Sequence, residues 1–241
     1  MATKRARKRH VQQTFEFRTW GGERSGAGRK QINERKSEPH RARLPITRHQ
    51  AAHVVLRSAP ELARLRRRDA YNIIRKAMQV VLRRTDFRIV HVSIQANHVH
   101  LLVEAESQYT LARGVQAFAI SAARRLNQAE AAVRGEPRRG PAFPDRYHVK
   151  IINSPRHARN ELSYVLNNWR RHNEHRSSAV RHWRLDKYSS AISFPGWAEQ
   201  STWTVAADYD PLPVCQPMSW LLREGWKLHG PISIYETPGP H

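Results

Sequence analysis

The stretch Asn97-His98-Val99-His100-Leu101-Leu102-Val103-Glu104 is typical of a buried β-strand, and the predicted fold extends outward from it. Side chains alternate between the two faces of a strand, so His98 and His100 share one face while Val99 and Leu101 take the other. Two imidazoles on one face of a buried strand supply half of a divalent-metal site. The plainer alternative is a pair of histidines that are only solvated or hydrogen-bonded within the fold.

Hydrophobic periodicity on either side of this strand predicts alternating strands and helices. The predicted strands are 53–57, 87–95, the stretch beginning at residue 98, and 147–152, and the predicted helices are 61–84, 110–132 and 155–172. This order is that of an α+β, ferredoxin-like split βαβ fold with an antiparallel sheet and one added C-terminal helix. In the usual 4-1-3-2 strand order the strand of His98 is central. Helices then cover one face of the sheet and leave the other face available.

The charge balance favours a polyanionic partner. The 241 residues include 42 Lys and Arg against 20 Asp and Glu, a formal net charge of +22. Such a chain repels itself unless a polyanion is near, which makes nucleic acid the leading partner. No apolar run approaches the roughly 18 residues that span a bilayer, and the basic N-terminus lacks the apolar core of a signal peptide, so no membrane partner is expected. Cys215 is the only cysteine, which excludes an internal disulfide and fits a reducing cytoplasm.

Composition divides the chain into three predicted regions. Residues 1–45 are rich in Arg, Lys, Gly and Ser and are expected to form a flexible basic arm, which either follows phosphates or only aids solubility. Residues 46–173 hold the predicted strands and helices. Residues 174–241 hold five of the seven tryptophans, interleaved with Arg and Lys. These aromatics can stack on unpaired bases or pin a loop-rich extension onto the domain, and we favour the second interpretation.

The helix predicted over 155–172 carries the most informative polar pair outside the histidine strand. Ser154 is expected to cap this helix, with Pro155 in its first turn. Tyr164 and Asn168 are four residues apart and therefore lie one above the other on the same helical face. A lone helical tyrosine is usually a half-buried core residue. Here its neighbour one turn on carries an oxygen that can ligate a metal.

Four other polar residues are assigned structural roles. Tyr147 and the histidine that follows it point to opposite faces of a strand, so Tyr147 is expected to serve packing or DNA contact. Tyr71 lies in the apolar stripe of the first helix and is expected in the core. His91 could face the site from a neighbouring strand, although a structural role is favoured. Glu104 shares the parity of the two histidines but lies too far along the strand to ligate the same metal.

Three segments, NHVHLLVE (97–104), DRYH (145–148) and YVLNNW (164–169), together resemble the HUH single-tyrosine transposases, and within them the REP-associated tyrosine transposase branch. The resemblance covers roughly 53–172, and GGERSGAGRK and WLLREGWKLHG look like segments of longer members of that branch. It implies that His98 and His100 are metal ligands, that Tyr164 is the nucleophile, and that Asn168 is the third ligand. Many relatives have Pro-Val after this asparagine, whereas this chain continues with Trp-Arg-Arg-His, so its helix is expected to run further.

The reaction implied by this resemblance is a metal-dependent transesterification on single-stranded, hairpin-forming DNA. Tyr164 would attack a phosphodiester, form a 5′-phosphotyrosine and free a 3′-hydroxyl that can later rejoin the strands. A phenol with a pKa of about 10 needs a nearby cation to react near neutral pH. Two nitrogens and one amide oxygen suit Mg²⁺ or Mn²⁺ as the functional metal, although Zn²⁺ could bind in vitro.

Several basic residues are expected to contact the DNA backbone: Arg66, Arg67, Arg68, Arg146, Arg170 and Arg171. The first three belong to a cluster on the polar face of the helix predicted over 61–84. Binding through such phosphate contacts should weaken steeply with salt.

Three rival functions remain open from the sequence. A domesticated, non-catalytic DNA- or RNA-binding protein would have lost a catalytic residue, yet His98, His100 and Tyr164 are all present. A replication or mobilisation initiator usually carries a helicase domain, and no P-loop pattern occurs here. A hydrolytic nuclease would use the metal without Tyr164. The sequence leaves monomer and dimer equally open, and a cytoplasmic, nucleoid-associated location in a bacterium is expected.

Overall fold

The computed structural model describes residues 43, 45–62, 64–176, 184–199, 203 and 206–239. The strands are β1 (Ala51–Arg57), β2 (Phe87–Ile94), β3 (His98–Ala105) and β4 (His148–Ile152). The helices are α1 (Arg68–Leu82), α2 (Gln108–Arg134), α3 (Pro155–Arg171) and a short α4 (Trp220–Arg223). The predicted basic arm lies outside the described residues apart from 43 and 45, as does Trp183. None of the described helices is both long and apolar enough to cross a membrane.

The four strands form an antiparallel sheet in the order β2-β3-β1-β4. This is the predicted order, and β3 is central because it pairs with both β1 and β2. The register places Val55 of β1 and Ser93 of β2 on either side of His100. The ferredoxin-like α+β class is therefore confirmed.

The two faces of the sheet pack against different layers. One face carries residues such as Val54, Val99 and Leu101, which form a core with α1 and α2. The other face was expected to remain available, and this expectation is wrong. Leu102 of β3 packs there in a second core with α3 and with the chain beyond residue 184. The sheet is thus covered on both sides, which buries the β3 histidine face beneath α3.

The C-terminal extension also covers the outer edge of β2. The carbonyl oxygens of Ile89 and Val92 accept hydrogen bonds from backbone N–H groups of residues 215 and 190, at 2.8 and 2.9 Å. Trp197 and Trp226 are buried in the second core. For these two tryptophans the packing interpretation is confirmed, and the unpaired groups of an edge strand are satisfied within the same chain. The boundary predicted at residue 173 stays a prediction.

The first helix begins later than predicted. Leu62 and Leu65 are buried as its apolar spacing suggested, but they lie in a loop whose Leu65 N–H donates to the carbonyl of Ala96. Arg67 has extended backbone angles and the helix begins at Arg68. Arg66 and Arg67 therefore precede α1 instead of lining its polar face. The other helix boundaries differ from prediction by two residues or fewer, and the Ser154 side chain accepts a hydrogen bond from the N–H of residue 157 as expected.

We expect Gly114→Ala to lower the free energy of unfolding by about 1–3 kcal/mol, the usual cost of overpacking a core. Gly114 lies within α2, where a Cβ atom would overlap the ring of Phe87 in β2. That ring is fully buried. Chemical denaturation measures the effect, and Gly239→Ala is the control because nothing lies within 4 Å of its Cβ position. Equal stability of the two variants would contradict the expected clash.

Candidate active site

The candidate residues of β3 and α3 meet on the sheet face that α3 covers. His98 and His100 project from β3, while Tyr164 and Asn168 project from α3. α3 is held over the sheet by Leu162, Val165, Leu166 and other buried apolar residues of the second core. A capped N-terminus and an amphipathic pattern thus fix the helix that carries half of the site.

Three side chains converge on one point. The Nε2 atoms of His98 and His100 are 2.8 Å apart, and Nδ2 of Asn168 lies 3.2 Å from Nε2 of His100. His100 and Asn168 are buried and His98 is half-buried. Burial lowers the pKa of His98 to about 4, and the nearby positive charges of His172 and Arg57 add to this effect. His98 is therefore neutral at pH 7, which is the form of imidazole that binds metals.

These three side chains fit a divalent cation. Oδ1 of Asn168 is buried and has no hydrogen-bond partner in the described part of the chain, a costly state for an amide oxygen. Its assigned orientation is interchangeable with one that turns this oxygen toward His100, where it could join the two imidazole nitrogens as a ligand. No group of three His, Cys, Asp or Glu side chains among the described residues could hold a metal.

Tyr164 lies beside the converging side chains. Its ring centroid is 5.4 Å from that of His100 and 5.8 Å from that of His53. The tyrosine is half-buried, and the guanidinium carbon of Arg171 lies 5.9 Å from its ring centroid. A single chain therefore brings together a phenol, two imidazoles and an amide.

Two residues of this site were missed in the sequence. Nε2 of His53 lies 2.9 Å from Nδ1 of His100, and Nδ1 of His53 lies 2.8 Å from Oε2 of Glu161. The signal for Glu161 was its position three residues before Tyr164, on the same helical face. His53 lies on a strand that pairs with β3. Its closeness to His100 can be recognised only when the register between the two strands is known.

The predicted DNA-binding arginines fall into two groups. The Arg66 side chain is 4% exposed, and its guanidinium makes a bidentate ion pair with Asp186. It lies inside the protein and is not available to a phosphate without breaking this pair. Arg67 donates to Glu130 at 2.7 Å, whereas Arg68 is largely exposed. Of these three arginines, Arg68 alone has a mainly exposed side chain.

The other three predicted arginines lie nearer the ends of the site elements. Nε of Arg170 donates to the carbonyl of Ile234, which fastens the extension to α3. Arg171 lies beside the Tyr164 ring, and Arg146 is half-buried just before β4. DNA contact by Arg146 and Arg171 stays a prediction.

The residues assigned to structural roles lie outside the converging set. Tyr71 is buried in the core, and its hydroxyl donates to a backbone carbonyl at 2.6 Å. The guanidinium of Arg43 covers the ring of Tyr147 at 3.4 Å. Nδ1 of His91 contacts a serine hydroxyl at 3.1 Å, and burial lowers its pKa to about 4.

Glu104, at the far end of β3, has a structural role away from the candidate site. Its two carboxylate oxygens accept hydrogen bonds from the N–H groups of Met218 and Ser219, at 2.8 and 2.9 Å. These groups precede α4, so the buried carboxylate anchors the C-terminal extension to the central strand. As predicted, Glu104 does not join the two histidines.

A family model described as "Transposase IS200 like" matches residues 47–168, just over half of the chain. The chain belongs to the IS200-like transposase family. The matched stretch begins just before β1 and ends at Asn168, so it includes every side chain of the converging set. Membership assigns this chain to the transposases, enzymes that act on DNA.

Two solved structures are similar to this IS200-like transposase. One is a REP-associated tyrosine transposase bound to a REP hairpin, with 14% identity, a TM-score of 0.46, and coverage of 75% of this chain and 99% of that chain. The other is a proposed transposase from Deinococcus radiodurans R1, with 19% identity, a TM-score of 0.32, and coverage of 48% and 85%. Both TM-scores lie below 0.5, so the family assignment rests on the sequence match. No curated protein sequence matches the chain.

Proposed function

We propose that this IS200-like transposase is a metal-dependent single-stranded DNA endonuclease and strand transferase in which Tyr164 is the nucleophile. One observation carries the proposal. The centroid of the Tyr164 ring lies 5.4 Å from that of His100, whose Nε2 faces both His98 and Asn168. A nucleophile beside a convergent donor set is the arrangement that phosphoryl transfer requires.

The proposed step is a transesterification. Oη of Tyr164 attacks the phosphorus of a DNA phosphodiester and forms a tyrosine–phosphate bond as the bond from phosphorus to the 3′-oxygen breaks. The phenolic proton is lost and the departing oxygen gains one, so the products are a 5′-phosphotyrosine and a 3′-hydroxyl. The same hydroxyl can reverse the reaction on the same or another strand, because bond energy is conserved in the phosphotyrosine.

His98, His100 and Asn168 are the residues that would hold Mg²⁺ or Mn²⁺. When bound, such a cation polarises a phosphate and offsets the charge that develops during transfer. The chain's own contribution is to present two imidazoles and one amide from rigid elements, which would leave coordination positions for the substrate. Arg171 adds positive charge beside the phenol.

Single-stranded or hairpin DNA is the proposed substrate. The net charge of +22 supports a polyanionic partner, and exposed Arg68 offers a phosphate contact on the described surface. The preference for hairpins, and the assignment to the REP-associated branch, rest on the sequence resemblance. Binding should fall steeply as salt rises, and the expected place of action is at the nucleoid of a bacterial cytoplasm.

The test incubates the full chain and Mn²⁺ with a labelled library of single-stranded hairpins, followed by a denaturing gel. We expect a denaturant-resistant protein–DNA adduct that peptide mapping assigns to Tyr164, and we expect a chelator to abolish it. Cleavage without an adduct would favour hydrolysis by the metal. Tight, salt-sensitive binding without cleavage would favour a domesticated binding protein.

A further inference from the structure

We propose that His53 and Glu161 are positioning residues that hold His100 in the tautomer presenting its Nε2 lone pair to a metal. The inference rests on the proposed function, because it takes His100 as a ligand. It extends that function to two buried residues that touch neither the substrate nor the metal. They act on the metal site through His100.

The contacts form a continuous chain from α3 through β1 to β3. Oε2 of Glu161 lies 2.8 Å from Nδ1 of His53, and Nε2 of His53 lies 2.9 Å from Nδ1 of His100. The side chains of Glu161 and His53 are each 1% exposed. The remaining ring nitrogen of His100 is the one that faces His98 and Asn168. Each ring nitrogen of His100 therefore makes a contact: Nδ1 with His53, and Nε2 with His98 and Asn168.

The proton positions follow from the acceptor at the end of this chain. An ionised carboxylate offers only lone pairs, so a second lone pair 2.8 Å away on Nδ1 of His53 would be repelled. In neutral His53 the proton therefore resides on Nδ1, and Nε2 is an acceptor. His100 must then donate its Nδ1–H to His53. Nε2 of His100 is left without a proton, which is the form that binds a metal.

The carboxylate charge of Glu161 is balanced from its other oxygen. Nζ of Lys150 lies 3.3 Å from Oε1, and Nε2 of His157 lies 2.9 Å from the same atom. The Lys150 side chain is 44% exposed, so its ammonium keeps part of its hydration while it faces the buried carboxylate. This cation balances the charge of the Glu161 carboxylate, whose Oε2 lies 2.8 Å from Nδ1 of His53.

One face of α3 carries all of its contributions to the site. Glu161, Tyr164 and Asn168 are spaced by three and four residues and therefore lie on neighbouring turns of the same face. The helix α3 therefore positions Glu161, the proposed nucleophile Tyr164 and the proposed third ligand Asn168 together. His53 comes from β1, opposite Leu102 of β3. Two sheet strands and one helix therefore fix the orientation of the His100 ring.

The experiment compares four variants of the full chain: His53→Phe, His53→Gln, Glu161→Gln and the control His91→Phe. His91 is a matched control because it is also buried and lies opposite the same Leu102, but from β2. The Mn²⁺ dissociation constant is measured by electron paramagnetic resonance. ¹⁵N NMR of the metal-free protein reports which nitrogen of His100 carries the proton.

We expect His53→Phe to weaken Mn²⁺ binding about 10–100-fold, the usual effect of losing a partner behind a metal ligand. Glu161→Gln should weaken it less, because an amide can still offer an oxygen to His53. His53→Gln should restore most of the affinity, since its carbonyl replaces the acceptor for His100. His91→Phe should bind like the wild type. In the wild type, NMR should place the proton of His100 on Nδ1.

Two results would overturn the proposal while leaving the proposed function intact. One is a proton on Nε2 of His100 in the metal-free wild type. This NMR measurement uses the wild type alone and does not depend on the folding of any variant. The other is Mn²⁺ affinity within twofold of wild type for folded His53→Phe and Glu161→Gln, when His100→Ala abolishes binding. Absence of Mn²⁺ binding by the wild type itself would refute the metal site of the proposed function and the positioning role with it.

Discussion

Tyr164→Phe should eliminate the covalent protein–DNA adduct and reduce strand cleavage by at least about 1,000-fold, because phenylalanine keeps the ring and removes the only atom that can attack phosphorus. The ring centroid lies 5.4 Å from that of His100 and 5.8 Å from that of His53, and phenylalanine keeps both ring contacts. DNA and Mn²⁺ affinities should therefore remain within about threefold of wild type. Adduct formation on a denaturing gel, with binding measured in parallel, checks this expectation.

The matched control is Tyr147→Phe. Tyr147 is also half-buried, and its hydroxyl has no hydrogen-bond partner among the described residues, so this change removes a phenol without removing a contact. It should leave adduct formation unchanged. If Tyr164→Phe still cleaves at the wild-type rate without an adduct, the metal site acts by hydrolysis. If an adduct persists in that variant, another residue is the nucleophile.

Local patterns predicted the strands and which site residues share a face within one element, whereas the common site of β3 and α3 was an implication of the family resemblance. The alternation of residues in β3 predicted that His98 and His100 share a face, and four-residue spacing predicted the same for Tyr164 and Asn168. The order of strands and helices then matched the split βαβ plan, whose usual strand order is 4-1-3-2. Such predictions succeed because they depend only on residues that are close together in the sequence.

Features that depend on distant partners were not predictable in the same way. Arg66 was assigned to an exposed helix face, but its partner Asp186 is 120 residues away in a region of weak periodicity. The role of His53 likewise depends on the register between β1 and β3 and on the placement of α3. The sequence around a charged residue does not show whether a segment far along the chain will bury it.

Asp186→Ala should lower the free energy of unfolding by about 3–5 kcal/mol, because it leaves the Arg66 guanidinium buried without its counter-ion. The two side chains are 4% and 1% exposed, and Arg66 also donates to the carbonyl of Ile94 at the end of β2. The aspartate in turn accepts a hydrogen bond from the N–H of Tyr188 in the extension. Urea denaturation followed by tryptophan fluorescence measures the loss, since buried Trp197 and Trp226 lie in the same extension.

The exposed pair Arg68–Asp208 is the control for this buried pair. Its side chains are 78% and 68% exposed, so Asp208→Ala should cost less than about 1 kcal/mol. Replacing both buried partners, as Arg66→Met with Asp186→Leu, should recover most of the stability lost by Asp186→Ala, because no lone charge then remains in the interior. A cost below 1 kcal/mol for Asp186→Ala would mean that Arg66 can reach solvent, and would return this arginine to the residues available for DNA.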